Sequence, residues 1–138
     1  MPQFSDHLRN ALCHAFSLAI GKAPVIEIID GDMPAKCSIP TDGVALVSFN
    51  LSNDWQLIPV CGVVETAGLP YTTTAAHKGR ARYYRMFDAA GVCHEQGGCW
   101  MEGDDTPEHL RDLLLDNTDI REQQSVQLLE FTKIAPGA

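Results

Sequence analysis

No stretch of the 138-residue chain approaches the ~18–20 consecutive apolar residues that a membrane-spanning helix needs, so a helical membrane protein is excluded. Basic residues are also scarce. Ten Lys and Arg face 18 Asp and Glu, for a net charge of −8, a poor balance for wrapping nucleic acid, whose binding rests on phosphate neutralisation. Catalytic signatures are missing as well. There is no G-x-S-x-G, no G-x-G-x-x-G, no phosphate-binding loop, no H-E-x-x-H and no C-x2-C. The composition that remains, 45% hydrophobic and 20% charged, is ordinary for a globular chain and leaves no room for collagen-like or low-complexity disorder. At this length a core can form without metal or disulfide staples, and one domain over residues 1–138 is expected.

Five cysteines, Cys13, Cys37, Cys61, Cys93 and Cys99, cannot all pair within one chain. The apolar stretch Ala11 to Ile20 is interrupted by His14, and no A-x-A-like cleavage site follows it. Reduced thiols in cytoplasm are therefore expected.

The first twenty residues carry helical periodicity. Phe4, Leu8, Ala11, Leu12, Ala15, Phe16, Ala19 and Ile20 recur on one side, Ser5 is the candidate cap and Gly21 the stop, which predicts a helix over about 5–20 whose stripe packs on the core. Beyond Pro24 the period shortens. Val25–Ile29 before Asp30-Gly31, Val44–Leu51, Val60–Thr66, Tyr71–Thr74, Gly79–Asp88, Val92–His94, Cys99–Met101 and Ser125–Ile134 read as strands. Gly97-Gly98 reads as a tight turn, and Thr106-Pro107-Glu108 as a helical turn before a strand at Leu113. One helix followed by seven or eight short strands predicts a mainly β protein: an antiparallel β-sandwich or jelly-roll-like domain over about 24–135 with an N-terminal α-helix.

Charge is unevenly spread. Residues 71–88 hold Lys78, Arg80, Arg82 and Arg85 against Asp88 alone, while the flanking segments are acidic. A basic band on an acidic protein fits docking to an acidic partner or to another copy of itself, so these four are the candidate interaction residues. Alternation would put Arg80, Arg82, Tyr84 and Met86 on one face of a continuous strand. Tyr83, Tyr84 and Phe87 among the arginines have the chemistry of a base-stacking sheet, but alternation scatters them and the surrounding acidity opposes it.

Cys93, His94 and Cys99, with His77 or His109, are zinc-ligand types, yet C-H-x4-C is no known knuckle, and strand neighbours 93 and 94 point to opposite faces. Cys13 and His14 diverge by about 100° on a helix, and nothing in the sequence selects Cys61 with His77 as a nucleophile–base pair. Trp55 and Trp100 are the candidate platforms for a sugar.

The run His77 to Gly91 contains G-x-A-x-Y-x-R-x-x-D-x-x-G. It is followed by Leu113–Thr118, Ile120, Gln124 and a V-x-L-x-x-F-T pattern at Val126, Leu128, Phe131 and Thr132. With the Ala- and Leu-rich N-terminal helix and Ile28-Ile29-Asp30-Gly31, this layout resembles small β-rich virion proteins of tailed bacteriophages, and among them the capsid cement, or decoration, proteins. The resemblance implies a jelly-roll-like β-sandwich that forms a homodimer and clamps neighbouring major capsid protein subunits on the outer capsid surface of the virion, after synthesis in the host cytoplasm. It implies no enzyme activity, no cofactor and no metal, and no direct contact with nucleic acid or membrane. A clamp of this kind stabilises a DNA-filled head by binding only the assembled lattice, and many identical weak contacts gain through avidity. Other expectations are a minor neck or tail protein, a carbohydrate-binding jelly roll, and a small cytoplasmic Cys/His enzyme.

Overall fold

A computed structural model describes residues 2–138. The helix α1 spans Asp6–Ile20; the Ser5 hydroxyl accepts from Leu8 N at 3.1 Å, and Gly21 ends it at φ 85°. Ten strands follow. They are β1 (Val25–Asp30), β2 (Val44–Asn50), β3 (Val63–Glu65), β4 (Tyr71–Thr74), β5 (Gly79–Arg80), β6 (Tyr83–Phe87), β7 (Cys93–Trp100), β8 (Leu113–Leu115), β9 (Asp119–Ile120) and β10 (Ser125–Ile134), with a 3-10 turn at Glu108–Leu110.

The main sheet runs β2-β1-β6-β7-β8-β10-β3, with β4 beside the first half of β10 and β3 beside its end. Strands β5 and β9 pair separately. Just after β4, Ala76 N donates to Leu46 O of β2 at 2.8 Å, so the sheet curls round until its two ends meet. Inside the curl lie Ile26, Ile28, Leu46, Phe49, Tyr84, Met86, Leu113, Leu115, Val126, Leu128 and Phe131. The β-branched and aromatic residues of alternate positions thus meet from opposite walls around one core. No described helix is long and apolar enough to cross a membrane.

The fold is mainly β with an N-terminal helix, as the pattern predicts, but four local expectations need correction. The sheet is mixed rather than antiparallel, because β7 and β8 run parallel through Cys99–Leu113 and Trp100–Leu114. The intervening 101–112 segment carries the chain back to the same end of the sheet, so a hairpin is not required. Gly97 and Gly98 form no turn; they lie inside β7, where a Cβ on Gly98 would stand 2.1 Å from Leu110 O. Their bareness makes room for the crossing 101–112 segment.

The Gly79–Asp88 strand is broken at Ala81-Arg82, where Ala81 N turns to Thr118 O and Arg82 N to Ile29 O. Finally, the buried stripe of α1 is rotated from the predicted one. Arg9, Cys13 and Ile20 are buried with Leu12 and Phe16 partly so, while Leu8, Ala11, Ala15 and Ala19 are exposed. Arg9 sets this rotation by reaching inward to Cys61 O at 2.7 Å and Ala135 O at 3.0 Å.

Candidate functional site

Asp30, at the end of β1, organises the basic band. Its carboxylate accepts from Arg82 Nε at 3.0 Å and from the Arg80 backbone N–H at 3.1 Å. Gly79 permits the approach, since a Cβ there would lie 2.7 Å from Asp30 Oδ2 and 2.9 Å from a Leu46 methyl. Arg80 faces Asp119 across the β5–β9 ladder, with guanidinium and carboxylate 4.0 Å apart. Arg80 and Arg82 line one wall of an open cleft of about 440 Å³, whose other walls include Asp32, Met33, Cys99, Asp104, Asp105 and Leu110.

Burial works against ionisation of the Asp104 carboxyl. Hydrogen bonds from the Met101 and Thr106 N–H groups and the Thr106 hydroxyl nevertheless hold its pKa below the usual carboxylate value. The Cys99 thiol is pushed far up by burial, with Asp112 adding to the effect, so it stands protonated and is no nucleophile at neutral pH. With two arginines among several acids, the cleft carries charge of both signs.

Of the four candidate interaction residues, three are on the surface. Lys78 is exposed, and the Arg80 and Arg82 side chains are about half exposed. Arg85 is a correction: it is 2% exposed, because the segment 31–43 lies across the outer face of β6 and β7 and covers it. Three contacts hold that segment down: Arg85 Nη2 to Cys37 O, Gln96 Nε2 to Pro34 O at 2.6 Å, and the Thr41 hydroxyl to the Tyr83 hydroxyl.

The other candidate groups are dispersed. Cys61 follows the edge of the sheet near Val63, which pairs with Ile134, whereas His77 follows Thr74, which pairs with Ser125. Nine residues of β10 separate those registers, about 30 Å of extended chain, so the two side chains cannot work together. His94 pairs with Asp88 at 2.8 Å, and that contact, with the Val92 N–H, keeps the Asp88 pKa low. Cys93 faces the 31–43 segment, and His77 and His109 stand on other elements; no group of three or more potential ligands converges among the described residues. Trp55 is buried and donates to Gly21 O at 2.9 Å, and Trp100 is partly covered by Arg111, 5.0 Å from its ring. Neither is an open sugar platform.

A second surface went unnoticed in the sequence. The segment 55–60 folds along β3, with Leu57 N donating to Glu65 O and Val60 N to Val63 O, both at 2.9 Å. This turns Ile58 and Val60 outward, 85% and 67% exposed, beside Leu57, and together with Val63 and Glu65 they line a shallow hollow of about 350 Å³. Ile134, 66% exposed, is the register partner of Val63 and extends the patch. The legible signal was Leu57-Ile58-Pro59-Val60 itself: an apolar run broken by proline marks a sheet edge.

No protein-family model, curated protein or solved structure matches the chain.

Proposed function

We propose that this chain is a bacteriophage capsid cement protein that binds neighbouring major capsid protein subunits on the outer shell and stabilises the filled head. The observation that carries the reading is the apolar rim of Leu57, Ile58 and Val60 at one edge of the sheet, continued through Val63 to its register partner Ile134, each half or more exposed apart from Val63. Isolated exposed apolar residues are ordinary, but a contiguous set is the mark of a surface that docks. Lys78, Arg80 and Arg82 supply the orienting charge in this reading, and Arg85 supports the sheet instead of touching a partner. The reading includes a homodimer and a jelly-roll-like sandwich, in which β1, β2 and β6 form one wall of the curl and β8 and β10 the other. Support for that architecture comes from the single core that both walls share.

The test is co-sedimentation of the purified chain with shells built from the major capsid protein of the phage that encodes it. The wild-type chain is expected to pellet with the shells in a saturable ratio. Ile58→Asp with Val60→Asp is expected to weaken retention at least about tenfold, the scale of losing an interface anchor, with the melting temperature unchanged because both side chains face solvent. A chain that stays in the supernatant with intact shells contradicts the proposal.

A further inference from the structure

Arg85 is a buried cation with no carboxylate within ion-pair distance among the described residues. Its Nε has no hydrogen-bond partner, and its guanidinium lies 5.9 Å from the Phe87 ring centroid. What lies against it is the backbone of a cysteine. Arg85 donates to the carbonyl of Cys37, and Cys93 is a near neighbour of the Cys37 side chain. Cys93 opens β7 as the register partner of Phe87, on the same outer face as Arg85, and its Sγ lies 3.4 Å from Glu95 O. Cys37 belongs to the 31–43 segment that crosses this face. Both cysteines are free and only partly buried, which leaves them open to a small reagent.

We propose that Cys37 and Cys93 are an oxidisable dithiol, a modification site whose disulfide staples the 31–43 segment to β7. The oxidant is a small disulfide of the glutathione class. One protein thiolate attacks the reagent's S–S bond, releasing one reagent thiolate and leaving a mixed disulfide. The second protein thiolate then attacks the protein sulfur of that mixed disulfide and expels the other reagent thiolate. Two protein thiols are oxidised, one reagent disulfide is reduced to two thiols, and the two protons leave to solvent.

Burial and the neighbouring Cys93 raise the Cys37 pKa, while the Arg85 charge pulls the other way. The Cys37 thiol therefore offers less thiolate than an unperturbed cysteine, which slows closure. A bond between residues 37 and 93 closes a long loop, the case in which a cross-link restricts the unfolded chain most.

The experiment takes the fully reduced chain, exposes it to excess oxidised glutathione, and follows thiol titration in denaturant, intact mass, peptide mapping and melting. Titratable thiols are expected to fall from five to three. The chain becomes lighter by two hydrogen atoms, with a Cys37–Cys93 linked peptide, and the melting temperature rises by about 5–15 °C, reversed by dithiothreitol. Cys37→Ser and Cys93→Ser each abolish the mass loss and the thermal shift, whereas Cys61→Ser, whose side chain is exposed at the far edge near α1, retains both. Five persistent thiols, glutathione adducts without the 37–93 link, a different cysteine pair, or a link that leaves melting unchanged would each overturn the proposal. None of these readouts involves a capsid, so the outcome is independent of the cement reading.

Discussion

At the scale of single residues, the most consequential group is one that composition hides. Lys133 of β10 is buried against the Phe131 ring, 4.2 Å from its centroid, and pairs with Glu95, which also accepts from the Tyr84 hydroxyl at 2.6 Å. Removing one member leaves the other charge stranded. Lys133→Met is expected to cost about 2–3 kcal/mol in urea denaturation, below the range for a fully buried pair because the Glu95 side chain keeps 24% exposure. The double variant Lys133→Met, Glu95→Gln should recover more than half of that loss.

The same trio gives an alkaline signature. Burial lowers the Lys133 pKa below its ordinary 10.5 despite Glu95, so folded Lys133 sheds its proton first and stability rises with pH from the folded value toward 10.5. Tyr84 works in the opposite sense. Burial and Glu95 hold its phenol far above 10.0, and its contribution is present below that value and lost above it, once the unfolded chain ionises. Cys99, held far above 9.0 by burial, adds a loss from pH 9 that opposes the Lys133 gain, so denaturation midpoints should turn down by pH 11, and Tyr84→Phe should blunt the part of the descent above 10. An unaltered descent in that variant would contradict the assignment. None of this was legible in the sequence, because Lys133 and Glu95 lie 38 residues apart and only the curl of the sheet brings them together.

At the scale of elements, periodicity carried the large features and failed where a crossing chain overrides it. The bounds of β10 and the caps of α1 follow from local signals: an alternation that slips only once, at Leu129-Glu130, and the Ser5 and Gly21 termini. The glycines of β7 carry the opposite lesson, since turn chemistry and close approach favour the same residue. Gly98→Ala is expected to cost more than about 2 kcal/mol, because the new Cβ meets backbone at Leu110 that cannot swing away. Gly91→Ala has nothing within 4 Å and only its φ of 85° to oppose it, and should cost about 1 kcal/mol. Equal losses in urea denaturation would show that the crossing segment yields. The rotation of α1 was likewise invisible, because no propensity rule places an arginine such as Arg9 on the buried stripe ahead of Leu8 or Ala11.

At the scale of the whole molecule, a chain of net charge −8 repels copies of itself at long range, so any assembly rests on short-range contacts such as the apolar rim and on local charge such as Arg80 and Arg82. The basic cluster was legible as a count but not as a surface. Sequence spacing joined Arg85 to it, and the covering segment 31–43, with no pattern of its own, withdrew it. The apolar rim escaped notice for the converse reason: Leu57 to Val60 resemble core residues until the curl leaves them outside.

The cement reading is tested most directly by the copy number of this chain in purified phage particles, counted by quantitative mass spectrometry against the major capsid protein. Abundance comparable to the capsid subunit is the predicted result. A handful of copies, as at a neck or tail, or complete absence from the particle, would contradict it.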